Sequence, residues 1–231
     1  MDSLFAGLQQ AVIWLLFGHP EVYQIVGVTL KIVAVATLLA SLFGVPLGAG
    51  IAGRTFAGKQ LVVSIFHALL AMPTVVIGLT VYAFLSRRGP LGDLGLLFTP
   101  WAIVIGEVCL AFPIVVAFTI DAVQGVDPRI RETALSLGAS STRAAVTVLA
   151  EVRFAVLGAI VAAFGRIIAE VGAAMMLGGN IRGYTRTITT AIALETSKGE
   201  FALGLALGIV LLVIAFGVNI TLYALQGTKS G

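Results

Sequence analysis

Charge is scarce in this sequence. Aspartate, glutamate, lysine and arginine together make up 11% of its 231 residues, less than half the quarter carried by soluble domains. A water-soluble globule of this size is therefore excluded, because a folded surface needs charged groups to keep it solvated. Cysteine occurs once, as Cys109, which rules out an intrachain disulfide and a thiolate metal centre. The two histidines, His19 and His67, are isolated, and His67 reads as a hydrogen-bonded interior residue of an apolar run. With no nucleophile–base pair and no ligand cluster, the parts of a membrane enzyme are missing. The formal net charge of +3 is too slight to argue for nucleic acid.

What the sequence does have is apolar. Hydrophobic residues reach 59%, and the 27 glycines bring the share to roughly seventy per cent. Mean hydropathy is +1.08. Disorder is excluded by that hydrophobicity, and an integral membrane protein remains. Ile32 to Gly53, Gln60 to Ser86 and Phe201 to Thr228 carry no charge, and each is long enough to cross a hydrocarbon core of ~30 Å as a helix. Leu94 to Ile120 is interrupted only by Glu107, and Phe154 to Ile181 only by Arg166 and Glu170. Five helical spans are expected, at about 24–53, 60–86, 97–122, 152–178 and 201–226. Residues 1–20 read as an amphipathic helix lying at the interface, with Leu4, Phe5, Leu8, Val12, Leu15 and Leu16 near one face. With the N-terminus outside, seven lysines and arginines fall on the inner side and six on the outer, so charge bias does not orient the chain.

Three motif matches fail on context. Gly48, Gly50 and Gly53 spell a dinucleotide fingerprint at the end of an apolar helix instead of after a strand. Gly53, Gly58 and Lys59 lack the Ser or Thr that a phosphate loop needs at Gln60. The glycosylation triplet at Asn219 lies inside the last apolar run. Gly44/Gly48 and Gly204/Gly208 instead have the spacing that lets membrane helices pack closely.

The polar connection at about 123–151 is the obvious docking place for a soluble partner. It contains Arg131-Glu132-Thr133-Ala134-Leu135-Ser136-Leu137-Gly138-Ala139. Ala134 and Gly138 leave one bare face on a short helix, Glu132 suits its N-terminal dipole, and Gly138 can turn the chain out of it. This stretch resembles the cytoplasmic loop of permease subunits of ATP-binding-cassette importers, which carries Glu-Ala-Ala, three residues and Gly. Thr133 replaces the second alanine, and Ala150 and Glu151 replace the loop's closing Leu-Pro. Lacking that proline, the chain is expected to run smoothly into the fourth span. Glu170, Gly172, Ala173, Gly179, Asn180, Ile181, Gly183, Thr185, Arg186 and Thr187 resemble the molybdate and tungstate group of these permeases. The segment Glu195-Thr196-Ser197-Lys198-Gly199 and the five spans look more like the tungstate branch.

The resemblance implies an all-α integral membrane protein with the type I importer permease fold over 24–225. It implies an oxyanion permease for tungstate or molybdate, with sulfate or phosphate, or an ion-coupled transporter without an ATPase, as alternatives. Glu132, Thr133, Ala134, Gly138 and Ala139 would contact the ATPase. The implied partners are a second copy, two cytoplasmic ATPases and an external oxyanion-binding protein. ATP and magnesium would sit in the ATPase, with no cofactor in this chain. The implied location is a prokaryotic cytoplasmic (inner) membrane, with the N-terminus outside and the C-terminus cytoplasmic. Arg166 and Glu170 are expected to pair within a helix, either locking the fourth span or lining the path. Glu107 has no local partner. Gly179, Asn180, Thr185, Arg186 and Thr187 are candidates for the path or gate, and Arg182, Arg186 and Lys198 for a cationic mouth that attracts a dianion.

Overall fold

The computed structural model describes residues 9–10, 12–14 and 17–227. The interfacial helix expected at 1–20 lies largely outside these described residues. The described residues are all-α, with no strand among them. Helix α1 spans Pro20–Ala52, α2 Lys59–Leu69, α3 Thr74–Leu85, α4 Pro100–Gln124 and α5 Pro128–Ser136. Then come α6 at Ser141–Glu151, α7 at Arg153–Ile168, α8 at Gly172–Gly178, α9 at Ile188–Lys198 and α10 at Phe201–Gly227. Three helices, α1, α4 and α10, are long and apolar enough to cross a membrane. The number rises to five if the bent pairs α2–α3 and α6–α7 each count as one span.

Helix α4 is the centre of the bundle. Its residues Ala102, Ala111, Val115, Val116, Ala117 and Ile120 are buried, and α1, α2, α3, α7 and α8 all pack on it. Small residues make these approaches possible. A Cβ on Gly48 of α1 would stand 2.8 Å from the Val116 carbonyl oxygen, and one on Gly44 would stand 2.9 Å from Val115. That pair therefore packs closely, as its spacing predicts. Gly204 and Gly208 do not. A Cβ on Gly208 meets nothing, and one on Gly204 reaches only the Thr196 hydroxyl at 3.6 Å. Both lie on α10, the least buried of the three long helices.

Two apolar runs are less straight than their hydropathy suggests. The second breaks between α2 and α3 with a 97° bend. Pro73 has no N–H to continue the helix and forces Met72 out of helical conformation. Ahead of it, Leu70, Ala71 and Met72 donate to carbonyls three residues back, at 3.1–3.2 Å. This tight pattern ends α2. The fourth run is entered through a 69° bend between α6 and α7, where the missing proline predicts a smooth passage. The break falls at Val152, whose φ of −88° and ψ of 12° depart from helix. Hydrogen bonds nevertheless run through it, from Val152 N–H to Val148 and from Val156 N–H to Val152. Beyond Ile168 the chain leaves the helix again and re-enters it as the short α8, which packs on α3. A Cβ on Gly78 of α3 would lie 2.9 Å from the Ala173 Cα.

Candidate functional site

The polar connection folds as a helical hairpin, α5 and α6. Asp127 caps α5 by accepting from Arg129 N–H at 2.9 Å, with Pro128 in the first turn, a favourable start for a helix. The C-terminus is closed by two reverse bonds, Ala139 N–H to the Ala134 carbonyl and Gly138 N–H to the Leu135 carbonyl, both 3.0 Å. This is the Schellman arrangement, which needs a left-handed residue at its turn. Gly138 supplies it with φ of 86°, and open space surrounds the position of a Cβ there. Ser140 then caps α6. Thr133, Ala134, Gly138 and Ala139 line one open groove with Arg129 and Arg143. Glu132 is exposed beside it but does not line it. Leu137 projects from the turn 84% exposed, an apolar tip with nothing of its own chain to cover it.

A second group of expected residues meets in the middle of the bundle. Arg166 Nη1 lies 3.4 Å from Glu170 Oε2. The pair forms although Glu170 stands beyond the end of α7. Its other oxygen accepts Ala173 N–H at 3.0 Å, so Glu170 also caps α8. The Thr189 hydroxyl donates to its carbonyl. Glu170 is buried, while the Arg166 side chain is 45% exposed. Glu107 on α4 is 3% exposed, its Oε2 has no hydrogen-bond partner, and it interacts electrostatically with Glu170 and Arg166. Three ionisable groups from α4 and α7–α8 thus share one region, far from any other charge in sequence. His67 is less interior than expected. It pairs with Asp121 at 3.2 Å, and the two side chains are 39% and 51% exposed.

The third group sits at the end of the bundle opposite the hairpin, where α1 begins. Arg182, Arg186 and Lys198 do not form a free cationic mouth. Arg182 binds Glu21 at 2.6 Å. Arg186 lies between Glu21 at 3.5 Å and Glu195 at 3.6 Å, and Lys198 binds Glu195 at 3.1 Å. The hydroxyls nearby are also committed. Thr185 donates to the Gly178 carbonyl and accepts Ile181 N–H. Thr187 caps α9 in a reciprocal box with Thr190. Asn180 holds the Thr190 carbonyl at 3.3 Å. Gly179 ends α8 with φ of 67°, and a Cβ there would stand 2.9 Å from the Phe98 ring. Residues 178–190 therefore form a knitted segment. Sequence reasoning overlooked Glu21 and Glu195 as partners. Glu195 carried a local signal, its i,i+3 spacing to Lys198, while Glu21 carried none because its partners are about 160 residues away.

The family of binding-protein-dependent transport system inner membrane components matches residues 44–228. The chain is 41% identical to a tungstate uptake system permease protein, TupB, of Campylobacter jejuni, over 99% of this chain and 95% of that one. It is 32% identical to the molybdenum transport system permease protein ModB of Escherichia coli, over 78% and 83% of the two chains. Among solved structures, a bacterial alginate transporter crystallised with its alginate-bound periplasmic protein superposes with a TM-score of 0.71 at 20% identity. That match covers 98% of this chain and 89% of the other.

Proposed function

The chain belongs to the binding-protein-dependent transport system inner membrane components, and from that premise we propose that it is the permease of an ATP-driven importer for tungstate. It is a multi-pass inner-membrane subunit that carries no catalysis of its own, and the family works with a separate ATPase and an external binding protein. The substrate assignment rests on one observation. Identity is higher, and covers more of the chain, toward the tungstate relative than toward the molybdenum one. A probable sulfate permease relative is 27% identical, well below the tungstate relative.

The coupling role goes to the α5–α6 hairpin. Thr133, Ala134, Gly138 and Ala139 present a small-residue groove, and the exposed Leu137 gives a partner's cleft an apolar anchor. ATP and magnesium would bind in that ATPase, whose closure would move the hairpin. Two copies of the chain would enclose the path. The support is Arg166. A half-exposed guanidinium on an apolar span costs several kcal/mol if it faces lipid, so about 3 kcal/mol or more favours a protein or water-lined face. Arg166 and Glu170 would then border the path, while Thr185, Thr187, Asn180 and Arg186 would hold its outer rim in shape. With the hairpin on the ATPase side, α1 begins outside and α10 ends in the cytoplasm.

Reconstitution of the chain with its ATPase and binding protein tests this reading. ATP-dependent uptake of tungstate, exceeding that of molybdate and sulfate, is the expected result. Uptake led by sulfate would overturn the substrate, and failure of any ATPase to co-purify would overturn the coupling.

A further inference from the structure

Two adjoining clefts, about 700 and 370 Å³, lie where the last turn of α1 meets the hairpin. Arg54, from the α1–α2 connection, and Arg131, on α5, line both. Among the described residues neither arginine has an ion pair, and no carboxylate lines either cleft. At the opposite end of the bundle Arg182 and Arg186 are both matched by acids, whereas Arg87 and Arg88 line a cleft of their own, but as neighbours on one connection and not from separate elements. Two like charges brought together from separate elements repel each other unless an anion lies between them. Hydroxyl donors complete the lining, from Thr55 in the larger cleft and from Ser141 and Thr142 in the smaller.

We infer that this double cleft is a binding site for a tetrahedral phosphate-type oxyanion held between Arg54 and Arg131. Guanidinium groups present paired N–H donors that match such oxygens two at a time. The chemistry has two sources. The cleft lies at the end of the apolar helix α1, and anionic lipid phosphates collect around basic residues at the ends of membrane helices. A free inorganic oxyanion offers the same oxygens. Either ligand ties the hairpin to the α1–α2 connection, and so bears on how far the hairpin can move. The site stands whichever anion is transported.

The test uses the permease–ATPase complex with two probes. Short-chain phosphatidic acid, against phosphatidylcholine, is followed by native mass spectrometry in detergent. Inorganic phosphate is followed by calorimetry in phosphatidylcholine nanodiscs. The variants are R54Q/R131Q and G50L. Gly50 lines both clefts and a Cβ there meets nothing, so G50L fills the space while keeping both charges and the helix. K31Q, on α1 and lining neither cleft, serves as control. Wild-type protein is expected to bind at least one probe, and both cleft variants to lose on the order of tenfold in affinity, with the control unchanged. Loss confined to phosphatidic acid assigns the site to lipid, and loss of inorganic phosphate assigns it to a soluble anion. Absence of wild-type binding to both probes overturns the site. So does wild-type affinity in G50L, even if R54Q/R131Q fails to fold.

Discussion

Glu170 does two jobs with two oxygens, and substitution can separate them. Glu170→Gln keeps an oxygen for Ala173 N–H and weakens the attraction to Arg166, whereas Glu170→Ala removes both contacts. The alanine variant is expected to be less stable than the glutamine variant by about 1–3 kcal/mol, the cost of an unsatisfied buried donor. Chemical denaturation in detergent would read the difference, and equal stabilities would deny the cap. Gly48 makes a second prediction at this scale. A side chain there collides with the Val116 carbonyl and Thr119, so Gly48→Leu is expected to lower stability by about 1–3 kcal/mol through overpacking. Gly208→Leu, with open space around it, is expected to change it little. Thermal unfolding of the two variants side by side tests the contrast, and it bears directly on two GxxxG pairs that look alike in the sequence.

Single elements show what the sequence made legible. Hydropathy located α1, α4 and α10 because it measures transfer into hydrocarbon, and these helices are apolar along almost their whole length. It did not register the 97° bend, since Leu70, Ala71 and Met72 at the corner are as apolar as a straight helix; only Pro73 marked the place. Val152 carried no mark at all, because its bend follows from α6 packing on α5 while α7 packs on α4, a tertiary fact. Arg166 and Glu170 were readable from their spacing; the acid's part in starting α8 was not. The α5–α6 hairpin was the most legible element, because its turn depends on one residue type at one position. Since nothing crowds Gly138, a substitution there is resisted by backbone conformation alone. Gly138→Val is expected to cost about 1–2 kcal/mol and to reduce ATPase co-purification and uptake together. Gly138→Asn, whose side chain tolerates the left-handed region, is expected to retain most of both. Equal loss in the two variants would assign the position to steric contact instead.

At the scale of the whole molecule, Glu21 joins the first helix to the 182–186 segment, and Arg186 passes the connection on to Glu195. Glu21→Ala is expected to speed tryptic cleavage after Arg182 and Arg186 several-fold without displacing α4. An unchanged digestion pattern would show that the Thr185 and Thr187 bonds hold the segment alone. The opposite end of the bundle is built differently. The bend at Val152 keeps its hydrogen bonds, so α6 and α7 form a stiff crank instead of a loose joint. Its arms, at ~1.5 Å per residue, measure about 16 and 24 Å. Leverage follows from those lengths: when the short arm swings, the far end of the long arm, where Arg166 sits, travels about half as far again.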